Sequence, residues 1–292
     1  MKSVGIVGVG NMGGGMARRL LGLGWPVHVC DIDAAKTECL KEKGAFRQST
    51  PEKCAINSEV SIVCVVDAKQ TEEVLFGAHG LAAALPKGRA VMLCPTIAPQ
   101  DVERFAALLA THGLHCIDAP MSGGPVRAAE GTMSLMVACE NAVFNAHQDL
   151  LNALSNKVFR ISEKPGDGAR TKLVNNLLAG INLVGAAEVL AMAERMGLNL
   201  HTTLDVISQS SGQSWIGEDR LRRAVVGDFA PAAHMTLLQK DTGLAVAAGA
   251  AAGFSGPLGA HAAAVFAAAS AGGHAHEDDG AVFKWLQSHP TS

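Results

Sequence analysis

The stretch SVGIVGVGNMGGGMARRL, residues 3 to 20, decides the fold of the N-terminal half. A short β-branched run ends in GVGNMG, which has the spacing G-x-G-x-x-G and opens a helical pattern. This junction is typical of a dinucleotide-binding βαβ unit, because the three glycines permit a tight turn, close approach to a pyrophosphate and close helix packing. The residues expected to contact the cofactor are Gly8, Gly10, Asn11, Met12 and Gly13.

The choice of cofactor depends on the end of the second predicted strand. Asp31 closes PVHVCD (26–31) and is placed for the hydroxyls of an adenosine ribose. Ile32 and Asp33 follow it, with no arginine beside them to pair with a 2′-phosphate. The sequence therefore predicts NAD as the cofactor, with NADP disfavoured.

Hydrophobic patterning divides the chain into two parts. Short β-branched runs alternate with longer amphipathic stretches up to Ile161, and only helical patterns follow from Gly166 onward. The predicted strands are 3–9, 26–31, 60–66, 89–94, 114–118, 132–139 and 157–161. Strands separated by helices imply right-handed crossovers and a largely parallel sheet. We expect an α/β Rossmann-type domain over 1–163 and an all-α domain over 164–292, joined by a long interdomain helix.

Composition limits the possible partners. A formal net charge of −3 over 292 residues gives no electrostatic attraction for nucleic acid or an anionic membrane. No apolar run of about 18 residues lacks the glycines and polar groups of soluble helices, so no membrane partner is expected. The seven cysteines are odd in number and form no C-x-x-C pair, which favours a reducing, cytoplasmic location. A small-molecule partner is the remaining expectation.

The stretch GDGARTKLVNNLLAGINLVGAAEVLAMAERMG, residues 166 to 197, predicts a helix that is apolar nearly all the way round. Lys172, Asn175 and Asn176 interrupt it. A buried ammonium must be paired or must lower its pKa, unless the side chain snorkels to water near the start of the helix. These residues alone do not distinguish a buried functional lysine from a lysine whose side chain snorkels to water.

Four motifs resemble the β-hydroxyacid dehydrogenases in their order and spacing, and the resemblance covers essentially the whole chain. They are GIVGVGNMGGGMARRL (5–20), DAPMSGGPVRAAEGTMSLM (118–136), GDGARTKLVNN (166–176) and KDTGLA (240–245). The resemblance implies reversible hydride transfer between NAD and the hydroxyl-bearing carbon of a short hydroxy acid. It also implies a homodimer or homotetramer, which the small-residue stretch 248–269 favours as well.

The resemblance assigns roles along the long helix. It implies that Lys172 is the catalytic acid and base. Asn176 lies at i+4 on the same helix face and is expected to orient the lysine or the substrate hydroxyl. Asn175 could compete for that role, and we include it among the substrate-binding candidates.

Further site residues follow from the other motifs. Ser122, Gly123 and Gly124 are implied to hold the substrate carboxylate, and a hydroxyl beside successive glycine N–H groups makes a suitable anion nest. The residues expected near the nicotinamide end of the cofactor or along its site are Val66, Thr96 and Lys240. Asp241 is as consistent with a structural role as with a functional one.

Three segments look most like the L-threonate dehydrogenase branch of the family, and they are EVLFG (73–77), SSGQSWIGEDRL (210–221) and HEDDGAVFKWL (276–286). Ala233 stands seven residues before Lys240, where many members carry phenylalanine, which suggests room for a more hydroxylated acid. The candidate polar partners of such an acid are Ser211, Gln213 and His234. We therefore expect a four-carbon sugar acid such as L-threonate.

Several alternatives stay open. The Asn175–Asn176 pair resembles the sequence pattern of the hydroxyisobutyrate branch more than that of the threonate branch. The alternative activities are therefore those of 3-hydroxyisobutyrate dehydrogenase and tartronate semialdehyde reductase. An imine reductase typically lacks the catalytic lysine, and a non-catalytic dinucleotide-binding protein is a more distant possibility.

The remaining ionisable clusters have simpler interpretations. The cluster at 274–279 contains metal-ligating residue types, but acids at a helix start are expected on dipole grounds, so no metal is predicted. We expect Arg220, Arg222 and Arg223 on a solvated helix face.

Overall fold

A single sheet organises the N-terminal part of the protein. The computed structural model describes residues 2–288, and within them the sheet has nine strands. Their bounds are β1 Val4–Val7, β2 Val27–Cys30, β3 Phe46–Arg47, β4 Val60–Val63, β5 Ala90–Leu93, β6 His115–Asp118, β7 Met121–Ser122, β8 Ser134–Ala138 and β9 Lys157–Ser162.

The strand order confirms the Rossmann-type fold. β3, β2, β1, β4, β5 and β6 lie side by side in that order, and all their pairings are parallel. β8 runs antiparallel to β6 and β7 and parallel to β9. The order reverses between β1 and β4, and ligands of such sheets bind at this switch point, outside the carboxyl ends of the strands.

Two of the strands were missed by the sequence patterns. β3 and β7 contain two residues each, and Phe46 and Arg47 of β3 are exposed. So short a strand carries no hydrophobic alternation and exists because a neighbouring strand supplies its hydrogen bonds. β7 matters for function because it contains Ser122.

Helices cover both faces of the sheet. The helices of this part are α1 Asn11–Gly22, α2 Ala34–Lys41, α3 Pro51–Ile56, α4 Ala68–Phe76, α5 Pro99–Thr111, α6 Gly124–Glu130, α7 Asn141–Ala146 and α8 Gln148–Leu154. Along β1, Val4 and Ile6 pack in one hydrophobic core with Leu20 of α1, whereas Val7 packs in a second core with Phe105 of α5. Because successive strand residues point to opposite faces, both faces of the sheet are buried.

The helix α9, Asp167–Arg195, is 29 residues long. The chain divides into two compact units within it, Met1–Lys172 and Leu173–Ser292, whereas the sequence placed the boundary just before it, at 163 and 164. Contrary to the sequence analysis, α9 is long and apolar enough to cross a membrane by those two criteria, and 44% of its most apolar window is buried. Core helices of soluble proteins meet the same criteria.

The second unit is helical, as predicted, and no strand occurs among the residues described after Ser162. Its further helices are α10 Leu200–Ser208, α11 Trp215–Val225, α12 Met235–Ala251, α13 Pro257–Ala269, a π-helix at Ser270–His274, a 3₁₀ helix at Asp279–Ala281 and α14 Val282–Ser288. Its core includes Leu183 and Leu190 of α9 and Phe266 of α13. A Cβ on Gly180 would lie 2.6 Å from Thr242 Cγ2, so glycine permits α9 and α12 to approach closely.

One expectation about the second unit was wrong. Arg220 does not lie on a solvated face, because its side chain is only 11% exposed. Its Nε lies 2.5 Å from Asp279 Oδ1 and 3.6 Å from Asp278 Oδ1. Burial raises the pKa of Asp279 to about 7, while the Arg220 charge opposes that rise. The acids at 278 and 279 therefore pair with arginine, which also binds α11 to the segment before α14.

Candidate active site

The glycine turn after β1 leaves no room for side chains at two of its three glycines. Gly8 has φ +88°, and a Cβ on it would lie 2.5 Å from the Cys64 carbonyl oxygen. A Cβ on Gly13 would lie 2.0 Å from the Gly8 carbonyl oxygen. The turn can therefore form only with glycine at both positions.

Gly10 differs from Gly8 and Gly13, the other two glycines of the motif. It is the N-cap of α1, its φ is −64°, and a Cβ on it would meet nothing within 4 Å. The open space lies at a helix N-terminus, where backbone N–H groups and the helix dipole favour a phosphate. The residues of this turn thus fit the pyrophosphate of a dinucleotide.

Asp31 is fixed beside the same turn. Its Oδ2 accepts a hydrogen bond from the Val9 backbone N–H at 2.7 Å, and its Oδ1 accepts one from the Asp33 N–H at 2.9 Å. Each carboxylate oxygen retains a further lone pair, so the group can also accept from ribose hydroxyls. Ile32 is exposed, and Asp33 caps α2 through its bond from the Ala35 N–H.

The other cofactor candidates of this unit lie at the same edge of the sheet. Val66 follows β4, is exposed, and donates its backbone N–H to Gln70 Oε1 at 3.2 Å. Thr96 follows β5 and is half-buried. Asn11 and Met12 open α1, after the glycine turn that follows β1. Because these strands are parallel, their carboxyl ends meet at one edge, and the structure brings the four residues to the Asp31 side of the sheet.

The Ser122–Gly124 loop connects β7 to α6. Ser122 is held in the sheet by pairing with Ser134, and Gly123 and Gly124 have φ of +130° and +78°. Both values lie in the region of φ that favours glycine, and the anion nest predicted at this loop stays a prediction. A Cβ on Gly15 would lie 2.9 Å from Ala128 Cβ, so α6 packs closely on the cofactor-motif helix α1.

Lys172 lies in the second turn of α9. The residue is 7% exposed, which contradicts the snorkelling interpretation, because a snorkelling ammonium would reach water. A nearly buried lysine can exchange a proton with a bound hydroxyl group that is itself shielded from water. The start of its helix is held by Asp118, a residue to which the sequence analysis gave no role of its own.

A cluster of polar side chains lies in the helical unit. Asn176 Nδ2 donates to Asp241 Oδ2 at 2.6 Å, and Lys240 Nζ donates to Asp241 Oδ1 at 2.7 Å. Asn175 Nδ2 donates to Asn176 Oδ1 at 3.1 Å, so Asn175 supports its neighbour through a hydrogen bond. Asp241, whose role the sequence left open, is buried and connects Asn176 to Lys240.

The substrate candidates of the second half occupy two segments. Ser211 and Gln213 are exposed between α10 and α11. His234 is exposed at the N-cap of α12, and its Nδ1 lies 3.0 Å from the His276 carbonyl oxygen. Ala233 is half-buried beside it.

Two known protein families match the chain, one in each half. Residues 3–162 match the family described as the NAD binding domain of 6-phosphogluconate dehydrogenase. Residues 166–286 match the family described as NAD-binding of NADP-dependent 3-hydroxyisobutyrate dehydrogenase.

Individual relatives extend over nearly the whole chain. L-threonate dehydrogenase of Cupriavidus necator is 37% identical over 283 residues, which is 97% of this chain and 95% of the relative. A crystal structure of 3-hydroxyisobutyrate dehydrogenase from Salmonella typhimurium is 36% identical with a TM-score of 0.92, covering 98% of this chain and 100% of the other. A complex of Psf3 with NADP+ and 2-OPP is 29% identical with a TM-score of 0.89, covering 97% and 99%. The chain belongs to the β-hydroxyacid dehydrogenase family and is an oxidoreductase that acts on CH–OH groups.

Proposed function

We propose that the protein is an NAD-dependent dehydrogenase of a four-carbon sugar acid such as L-threonate, with Lys172 as its acid and base. The observation that carries the catalytic part is the near-complete burial of Lys172 in α9. A lysine is costly to bury, so its buried position in this largely apolar helix supports a proton-transfer role.

The proposed chemistry depends on proton transfer by Lys172. During oxidation, Lys172 takes the hydroxyl proton while the C–H bond of the same carbon breaks and a carbonyl forms. NAD, when bound, supplies the acceptor for the hydride. In the reverse direction Lys172 returns the proton to the carbonyl oxygen.

The other candidates bind and orient in this proposal. Ser122 and the N–H groups of Gly123 and Gly124 hold the substrate carboxylate. Asn176 orients the reacting hydroxyl, and its own amide is held by Asp241 at 2.6 Å. Lys240 is held by the same carboxylate at 2.7 Å and is assigned to the nicotinamide end of the cofactor.

The preference for NAD rests on Asp31. Its carboxylate is held beside the glycine turn by hydrogen bonds from two backbone N–H groups. A 2′-phosphate would meet this negative charge, whereas ribose hydroxyls would donate to it. The complex of Psf3, which is 29% identical, contains NADP+, so kinetics with both cofactors test this preference.

The proposed substrate rests on the relatives and on polar side chains. The Cupriavidus necator relative is named L-threonate dehydrogenase, and Ala233 is smaller than the phenylalanine that many members of the family carry at this position. Ser211, Gln213 and His234 are the candidate partners of the additional hydroxyls. A site built for hydroxyl groups leaves its own polar groups unpaired with an apolar substrate, which penalises 3-hydroxyisobutyrate.

We also propose that the protein is a cytoplasmic homodimer or homotetramer. The second unit exposes several large apolar side chains, which are Val174, Leu178, Val189, Met192, Phe254 and Leu258. Large apolar side chains exposed in this way support a surface that another subunit covers.

The proposed function is tested by steady-state kinetics on L-threonate, D-threonate, glycerate, L-serine, tartronate semialdehyde and 3-hydroxyisobutyrate, each with the appropriate redox form of NAD and of NADP. We expect the highest kcat/KM with L-threonate and NAD. A maximum with 3-hydroxyisobutyrate or tartronate semialdehyde would replace the proposed substrate. Binding of the cofactor without turnover of any acid would instead identify a non-catalytic dinucleotide-binding protein.

A further inference from the structure

The start of α9 is held by a single buried carboxylate. Asp118 ends β6 and is 1% exposed. Its Oδ2 accepts hydrogen bonds from the Gly166 N–H at 2.7 Å and the Ala169 N–H at 3.2 Å, and the nearby Gly168 N–H also lowers the pKa of the carboxyl. These are groups of the first turn, which have no partner within a helix, so Asp118 caps α9 from another element.

The packing around this cap leaves no room for a side chain at Gly168. A Cβ on Gly168 would lie 2.9 Å from Asp118 Cγ and 2.7 Å from the Met136 carbonyl oxygen. Only a residue without a side chain permits the helix start to lie this close to the carboxylate and to β8. The position of α9 is therefore set by contacts on two sides, the hydrogen bonds and the packed backbone.

The same residue is connected to two parts of the proposed site. Lys172 follows Ala169 by three residues, in the turn after the capped one. In the other direction, Asp118 precedes Ser122 by four residues, and the segment between them is buried. One carboxylate thus connects the helix that carries the lysine to the strand that leads into the Ser122–Gly124 loop.

We propose that Asp118 is a positioning residue of the reaction, which holds Lys172 in register with the Ser122–Gly124 loop by fixing the first turn of α9. This inference rests on the proposed function of Lys172. Asp118 acts through the helix backbone and need not touch the substrate. Since a displacement of about 1 Å at a reacting group can cost up to 100-fold in rate, a small movement of this turn is sufficient to impair catalysis.

The ionisation of Asp118 makes it possible to separate the effect of this residue on the position of Lys172 from its effect on the stability of the protein. Burial raises its pKa to about 6, the backbone N–H groups oppose that rise, and the Asp167 charge adds to it. The other titratable groups around it are the thiols of Cys94, Cys116 and Cys139, whose pKa values burial raises above their usual range. Among these neighbours, Asp118 is the group that titrates near pH 6.

The sign of the stability effect follows from the raised pKa. The folded-state pKa of about 6 lies above the ordinary value of 3.8, so the stability that this carboxyl contributes is complete at low pH. That contribution is lost as the pH rises through about 6, because ionisation of a buried group is unfavourable. The neutral isostere Asp118→Asn keeps this contribution at every pH. The thermal stability of the variant relative to that of the wild type should therefore increase between about pH 5 and about pH 8.

The experiment compares kcat, the Kd for NADH and the thermal midpoint of the full-length enzyme in four variants. Asp118→Asn retains one acceptor oxygen, Asp118→Ala retains none, and Lys172→Ala removes the proposed base. Thr50→Ala is the matched control, because Thr50 caps α3 by accepting from the Lys53 N–H at 3.2 Å and has no proposed part in catalysis. Its thermal midpoint should fall while its kcat stays unchanged.

At about pH 8, Asp118→Asn should match or exceed the thermal midpoint of the wild type, while kcat falls about tenfold or more and the Kd for NADH stays within about twofold. Asp118→Ala should lose more kcat than Asp118→Asn. The inference is overturned if Asp118→Asn keeps kcat within about twofold of the wild type, or if its thermal midpoint, NADH affinity and kcat all fall together. Lys172→Ala with undiminished kcat would overturn the role of Lys172 as well, and so distinguishes the two failures.

Discussion

The variant Gly10→Ala separates cofactor binding from folding at the glycine turn. The added methyl group would meet no protein atom within 4 Å, and the backbone of Gly10 is extended with φ −64°, a value that alanine adopts. The expected cost is that of alanine at an N-cap, about 1 kcal/mol or less of folding free energy. The fold should therefore persist.

Cofactor affinity should respond very differently from stability. The methyl group would occupy the space through which the pyrophosphate approaches the N-terminus of α1, so we expect the Kd for NADH to rise by about 10- to 100-fold, or about 1.4 to 2.7 kcal/mol. Isothermal titration calorimetry gives the Kd, and thermal unfolding in the absence of cofactor gives the stability.

Gly13→Ala is the matched contrast to this variant. Its methyl group would lie 2.0 Å from the Gly8 carbonyl oxygen, so the turn itself must distort. Overpacking costs typically about 1–3 kcal/mol, and more where the neighbour is backbone, so this variant should lose thermal stability as well as affinity. An unchanged Kd in Gly10→Ala, with the fold intact, would refute the assignment of this space to the pyrophosphate.

Three further outcomes are expected. The double variant Asp31→Ala, Ile32→Arg should shift the ratio of kcat/KM values toward NADP, because it removes a carboxylate that repels the 2′-phosphate and adds a cation that attracts it. A wild-type enzyme that already prefers NADP would contradict the role of Asp31. Arg220→Met should lower the free energy of unfolding by about 3–5 kcal/mol in denaturant titrations, since it leaves Asp279 buried without its arginine, whereas Asp278 keeps Arg223. That loss should be larger at about pH 8 than at about pH 6, because Asp279, with a pKa of about 7, takes up a proton at the lower pH. Light scattering at micromolar concentration should show a dimer or tetramer, and a monomer would disprove the proposed assembly.

Local sequence signals predicted the elements that depend on local chemistry. The β1–turn–α1 unit follows from a β-branched run and three glycines, and the structure shows why Gly8 and Gly13 admit no other residue. The parallel order of the sheet follows from strand–helix alternation. These features depend on neighbours in the chain, which one sequence displays directly.

Features that depend on distant partners were not predictable in the same way. Asp118 lies 48 residues before Gly166, and no pattern in either segment indicates that one caps the helix of the other. Asn176 and Asp241 are 65 residues apart, so the hydrogen bond that decides the role of Asp241 is visible only in the folded chain. The burial of Arg220 likewise depends on Asp279, 59 residues further on.

The most direct test of the account is the kcat of Lys172→Ala with L-threonate and NAD, measured beside Lys164→Ala. Lys164 is an exposed lysine eight residues earlier, just before α9, and serves as the control for loss of a positive charge. The account predicts that Lys172→Ala loses about 10²- to 10⁴-fold in kcat with little change in NADH affinity, while Lys164→Ala stays near the wild type. A Lys172→Ala enzyme that keeps more than about a third of the wild-type kcat would contradict it, since general acid–base catalysis contributes far more than that.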